Sequence, residues 1–193
     1  MRYKAGAMSL RVIAGKSKGR KLKTVDGDTT RPITDRAKES LFNILGGDVI
    51  DSNWWDLFGG TGAVGIEALS RGAAFVRFSD LNRAPIETIR YNVSHCQYES
   101  QSEIRRGDAF AFLAAVPDKV FEYIYIAPPQ YKEMWIKALE LLDDNMGWLA
   151  DDGWTIVQIS PREYRTSQPT LENLEEFDQR QYGNTIFTFY RRK

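Results

Sequence analysis

The stretch Asp56-Leu57-Phe58-Gly59-Gly60-Thr61-Gly62-Ala63-Val64-Gly65 decides how this chain is read. The stretch over 54–58, apolar but for Asp56, reads as a strand and stops on glycines. A helical pattern over 62–71 follows and ends at Gly72. Gly60, Gly62 and Gly65 fit G-x-G-x-x-G at this strand-to-helix turn. Glycine lets the backbone turn sharply and lets a ligand approach the main chain where a Cβ would clash. The helix start behind it presents unpaired N–H groups. Asp80 closes the next strand, 20 residues after Gly60, where a carboxylate can accept both hydrogen bonds of a ribose diol. The spacing points to an adenosine-containing cofactor. Dinucleotide enzymes share this pattern, and tight packing alone can also require glycines.

Outward from that loop, strand and helix alternate. Strands are expected over 54–58, 75–79, 102–106, 121–126 and 154–159, with helices over 62–71, 84–94, 109–116 and 133–145. A helix over 34–45 precedes them, with Thr34 or Asp35 as N-cap and Gly46-Gly47 as its end. Residues 175–181 and 185–191, joined at Tyr182-Gly183-Asn184, read as a terminal hairpin. Repeated β-α-β units imply a parallel sheet with helices on both faces, and the hairpin must add an antiparallel strand.

Of 193 residues, 42% are hydrophobic and 27% charged, a composition that suits a globular domain. No apolar run approaches the roughly 20 residues needed to span a bilayer. No secretory signal is visible around Arg2 and Lys4, so a cytoplasmic protein without membrane contact is expected. A lone cysteine, Cys96, rules out an intramolecular disulfide and a Cys-rich zinc site. A lone histidine, His95, argues against a multi-histidine metal or a Ser-His-Asp triad, and its bland reading is a surface or packing position. No metal is expected.

The net charge is zero, but residues 1–25 hold 8 basic and no acidic residues, leaving 18 basic against 26 acidic in the rest. A basic arm on an acidic body suggests a polyanionic partner, although a solvated tail explains a charge run equally well. Residues 10–14 and 20–24 read as short β segments around a turn at 15–19, so the arm is expected to form a hairpin. The expected division is an arm over 1–25 and a single domain over 26–193.

Several blocks carry a family resemblance. Asp56 ahead of the glycines resembles the first motif of class I methyltransferases, where the acid organises the loop at the amino-acid end of S-adenosylmethionine. Asp108, after the third strand, stands where such enzymes accept a hydrogen bond from the adenine amine, and it can also cap the next helix. Ala127-Pro128-Pro129-Gln130 resembles the (Asp/Asn)-Pro-Pro-(Tyr/Phe) turn of amino-group methyltransferases. It departs from that turn at Ala127, which offers only a backbone carbonyl, and at Gln130. Gln130 could supply an amide oxygen and Tyr131 an aromatic face one residue late. With Arg11-Val12-Ile13-Ala14-Gly15, Arg31-Pro32-Ile33-Thr34-Asp35-Arg36 and Gly65-Ile66-Glu67-Ala68-Leu69, the chain resembles the bacterial 16S rRNA guanine-N2 methyltransferase family from Leu10 to Arg191.

That resemblance implies a Rossmann-like α/β fold, a seven-stranded sheet with one antiparallel strand, and an N-terminal hairpin that touches RNA. It implies S-adenosylmethionine as donor and a guanine amine of small-subunit rRNA, free or in the 30S particle, as acceptor. Asp56, Phe58, Gly59, Gly60, Thr61, Gly62, Asp80, Leu81, Asp108 and Ala109 are expected at the cofactor. Ala127, Pro128, Pro129, Gln130 and Tyr131 are expected at the target amine. Arg11, Lys16, Lys18, Arg20, Lys21, Arg31 and Arg36 are expected on RNA, and Thr34 and Asn43 near the same mouth or in capping and helix-face roles. A monomer is expected. Three other readings remain open: a methyltransferase acting on another substrate, an RNA-binding assembly protein that lost catalysis with the acid at position 127, and a dehydrogenase.

Overall fold

The computed structural model describes residues 10–25, 33–129, 133–166 and 168–193. Seven strands form one sheet in the order β3-β2-β1-β4-β5-β7-β6. They are β1 (Asn53–Asp56), β2 (Phe75–Asp80), β3 (Ser102–Arg106), β4 (Phe121–Ile126), β5 (Leu149–Ile159), β6 (Leu174–Tyr182) and β7 (Thr185–Arg192). The pairs among β1 to β5 are parallel, and β7 runs antiparallel to both β5 and β6. One strand is therefore reversed, as the terminal hairpin requires. The helices are α1 (Asp35–Leu45), α2 (Ala63–Ser70), α3 (Arg83–Cys96), α4 (Ala109–Ala114), α5 (Met134–Asp144) and α6 (Pro161–Thr166).

Successive residues of a strand face opposite sides of the sheet, and β1 shows what this does. Trp54 packs in the core under α1, α2 and α3, with Phe42 5.5 Å away ring to ring. Its neighbour Trp55 packs in the other core, under α4 and α5, 4.8 Å from Trp148. Both indoles are fully buried, which anchors the central strand from both faces. The first turn of α1 is capped as the sequence suggests: Thr34 Oγ1 accepts the Ala37 N–H at 3.2 Å.

The basic arm takes the hairpin form in its most reduced version. One antiparallel bridge, Arg11 to Lys21, closes it, supported by Val12 N–H to Arg20 O at 2.9 Å and Leu22 N–H to Leu10 O at 2.8 Å. The ladder goes no further because the next donors are used elsewhere. The Glu67 carboxylate of α2 accepts the N–H groups of Ile13 (2.8 Å) and Ala14 (3.0 Å). Leu10, Val12 and Leu22 are buried in the same core as α1 and α2. Arg11, Lys16, Lys18, Lys21 and Lys23 remain exposed and Arg20 half-exposed.

Two elements depart from the sequence reading. β5 begins at Leu149 rather than near 154, because Phe121 pairs with Leu149 and a register shift before Tyr123 absorbs the exposed Asp151-Asp152 segment. α6 went unread, although its signal is in the sequence. Ser160 and Glu163 form a capping box: Glu163 N–H donates to Ser160 Oγ (3.2 Å) and Ser160 N–H to Glu163 Oε2 (3.3 Å).

Candidate active site

In an open parallel sheet, the place for a ligand is the crevice at the carboxyl ends of the strands where strand order reverses. Here that point lies between β1 and β4, whose outer neighbours are β2 and β5. Asp56 pairs with Tyr125 across this junction, and Leu57 N–H donates to Tyr125 O at 3.0 Å. Two residues beyond that pairing stand Phe58, just past the end of β1, and Ala127, just past the end of β4. The glycine loop and the diproline turn thus leave the sheet side by side.

The loop is held by the end of β2 and by α3, whose Asn92 Nδ2 donates to Thr61 O at 2.9 Å. Gly59 N–H donates to Ser79 O at 2.7 Å, and Gly60 N–H to Asp80 Oδ2 at 3.1 Å. Asp80 Oδ1 also accepts the Asn82 N–H at 2.9 Å, which fixes the carboxylate at the end of β2. Gly60 has φ +53°, and the nearest atom to a Cβ built there is 4.0 Å away. That opening, beside a fixed carboxylate and a helix start, fits the close approach of a ligand to the main chain. Gly65 does different work. A Cβ there would meet Phe78 Cε1 at 2.3 Å, so the third glycine of the motif serves the packing of α2 on β2.

Asp56 lies beneath the loop, 2% exposed, with Oδ2 accepting the Gly65 N–H at 3.3 Å. Burial pushes its carboxyl up to about 7; the Gly65 bond opposes that push and the Asp80 charge adds to it. A carboxyl so placed favours a cation beside it, because a cation restores the charge that burial penalises. A proton held more tightly when folded gives stability that is full below about pH 4 and is lost as pH rises through about 7. Asp56→Asn escapes this loss. Without ligand, its melting temperature should gain on that of the wild type between pH 5 and pH 8. A difference that stays constant with pH would mean that Asp56 is ionised throughout.

Asp108 takes the capping role: its Oδ1 accepts the Phe110 N–H at 2.9 Å, at the start of α4. Its loop is tied to β2 by Gly107 N–H to Asp80 O at 3.0 Å, which brings the two acids to adjacent strand ends. Phe58 packs edge-on against Phe110, 6.3 Å between centroids. Leu81 is one of few large apolar side chains left exposed among the described residues, at 61%, and follows Asp80 directly. Ala109 is buried. At the other strand end Ala127 is half-buried, Pro128 buried and Pro129 exposed. Gln130 and Tyr131 lie outside the described residues, as does Arg31. Arg36 is exposed on α1, Asn43 is exposed too, and Thr34 is the α1 cap.

Sequence reasoning missed the residues that fasten the arm. Glu67 and Lys38 are fully buried, 3.3 Å apart, and Lys38 Nζ donates to Arg11 O at 2.6 Å. Beside the arm, Tyr91 is exposed and stacked on His95 at 5.9 Å, with Lys23 Nζ 5.8 Å from the Tyr91 ring. Arg20 donates to the His95 carbonyl. Among the described residues no cluster of metal-ligating side chains gathers, and no helix is long and apolar enough to cross a membrane.

Comparison with known proteins joins this geometry to a family. A family model described as Conserved hypothetical protein 95 matches residues 10–191. A Bacillus subtilis protein named "Putative rRNA methyltransferase YlbH" is 37% identical over 95% of this chain and 100% of its own length. The Escherichia coli protein named "Ribosomal RNA small subunit methyltransferase D" is 31% identical over 98% of this chain and 93% of its own. A solved Escherichia coli structure, "Putative methyltransferase yhhF", superposes with a TM-score of 0.83 at 29% identity, covering 96% of this chain and 98% of that one. The chain belongs to the Conserved hypothetical protein 95 family, the bacterial small-subunit rRNA methyltransferase family that its arm and loop motifs resemble.

Proposed function

We propose that this chain methylates the exocyclic N2 amine of a guanine in small-subunit rRNA. The observation that carries the reading is the convergence of Asp56, Asp80, Asp108 and the Ala127-Pro128-Pro129 turn on one edge of the sheet, at the point where strand order reverses. S-adenosylmethionine bound there supplies an electrophilic methyl group. Asp80 accepts the ribose hydroxyls, Asp108 uses the oxygen not spent on its cap for the adenine amine, and Leu81 offers an apolar plate. Asp56 and the opening at Gly60 suit the cationic amino-acid end.

The target amine is neutral and needs no proton removed before attack. Its lone pair is delocalised into the ring, so the work required is orientation, which can lower a barrier by several kcal/mol without a strong base. The carbonyls of the diproline turn accept the amine N–H groups and aim the lone pair out of the ring plane. Proline fixes φ, so these carbonyls are held rigidly. The surplus proton passes to water after transfer. The exposed lysines and arginines of the arm engage rRNA phosphates.

The test is transfer of labelled methyl to 30S particles from cells lacking the enzyme, with nucleoside analysis of the product. The expected product is N2-methylguanosine. Binding of both partners without incorporation would favour the assembly-protein reading, for which Ala127 is the motivating residue.

A further inference from the structure

Asn92 of α3 is fully buried, yet its amide is shared between two segments far apart in sequence. Its Oδ1 accepts the Lys23 N–H at 2.7 Å, while its Nδ2 donates to Lys23 O and to Thr61 O, both at 2.9 Å. The orientation is unambiguous, because an N–H needs an acceptor and two carbonyls need donors. The side chain therefore pairs with Lys23 as a neighbouring strand would, and its remaining hydrogen holds the glycine loop. Thr61 stands between Gly60 and Gly62, both at positive φ, so its peptide is the part of the loop most free to reorient if released.

We infer that Asn92 is a positioning residue that couples the basic arm to the cofactor loop, so that rRNA on the arm and the methyl donor on the loop strengthen each other's binding. This rests on the functional reading above. The rest of the arm is fastened elsewhere: Ile13, Ala14 and Ser17 are bound by Glu67 and Ser70 of α2. Only at Lys23 does the described arm meet a side chain that also holds the loop. Lys23 is itself exposed with its ammonium toward Tyr91, where a phosphate can reach it. A phosphate that orders Lys23 orders the backbone that Asn92 grips, and the Thr61 peptide with it. A buried amide with three directional partners is costly to leave half-satisfied, so the two segments order or loosen together. Coupling of this kind is reciprocal.

The experiment measures the dissociation constant of S-adenosylhomocysteine, chosen because it cannot react, with and without saturating 30S particles that lack the modification. In the wild type the particle should tighten binding by roughly 5- to 20-fold. In Asn92→Ala that ratio should fall to about 1–2, whatever happens to either affinity alone. Lys16→Ala should weaken particle binding and keep the ratio, which a general loosening of the arm would not do. Should Asn92→Ala fold poorly, hydrogen exchange on the wild type decides: S-adenosylhomocysteine should slow exchange at residues 22–24. A wild-type ratio near 1, a ratio preserved in Asn92→Ala, or unaltered exchange at 22–24 overturns the inference. A wild type that binds no S-adenosylhomocysteine overturns the functional reading, and the coupling with it.

Discussion

Glu67→Gln should destabilise the protein by about 3–5 kcal/mol, the usual cost of removing one partner from a buried ion pair. Glu67 is fully buried and its two oxygens serve four donors: the Ile13 and Ala14 amides, Lys38 Nζ at 3.3 Å and Arg71 Nε at 2.9 Å. A glutamine of the same shape has one acceptor oxygen, and its NH2 must face a donor. The Lys38 ammonium is then left in the core without its paired carboxylate, with only the weaker influence of Asp35 remaining. Burial already pulls Lys38 below the usual lysine range, and the Glu67 carboxylate is the main influence opposing that pull. Losing it lowers the folded-state pKa further, so folding releases a proton that the unfolded chain holds. Stability of the variant must then rise with pH toward the ordinary lysine value, and its deficit shrink. Urea unfolding at pH 7 and pH 9.5 measures both effects. A loss under 1 kcal/mol, or a deficit that grows with pH, contradicts this account of the latch. Because the same carboxylate holds residues 13 and 14, the variant should also lose affinity for 30S particles.

The latch shows where sequence reading stops. Alternation of apolar runs with capped helices is local information, and it marks five of the seven strands to within a residue at each end; β1 ends at Asp56, two residues before the expected 58. The residues of the candidate site were legible because glycines and acids at strand ends are also local signals, and the fold brings them together: Asp80 accepts the Gly60 N–H at 3.1 Å. Glu67, Lys38 and Asn92 gave no such sign. Each looks like a solvent-facing helical residue, and what buries it lies 27 to 69 residues away. Lys38 interrupts the apolar face of α1 that Ala37, Leu41 and Leu45 define, and the docked arm together with Glu67 of α2 explains a charge there. The same docking shortened the expected hairpin, since α2 took the N–H groups that its ladder needed. Local pattern thus marked the glycines and acids that gather at the strand ends, whereas the connection between arm and loop exists only in three dimensions.

Ala127→Asp should raise turnover by about 10- to 100-fold, and its logic tests the amine side of the site. In the wild type, position 127 contributes a carbonyl alone, at the end of a strand whose neighbour carries the glycine loop. A carboxylate there adds a charge-assisted hydrogen bond from the target amine, worth about 1.5–3 kcal/mol. The amine grows more acidic as it takes the methyl, so the bond strengthens toward the transition state. Energy of that kind appears in kcat rather than in KM. Ala127 packs half-buried against the α1–α3 side core, so the new carboxylate carries a desolvation cost and the variant should melt earlier while turning over faster. Single-turnover transfer to 30S particles with enzyme in excess isolates the chemical step from product release. Ala127→Asn should show a smaller gain, because a neutral acceptor responds less to developing positive charge. Equal rates in all three proteins would mean that the backbone carbonyls and the proline-fixed turn already orient the amine fully. A wild type without activity beside an active Ala127→Asp would instead mean that this chain kept the fold and the RNA surface after giving up the reaction.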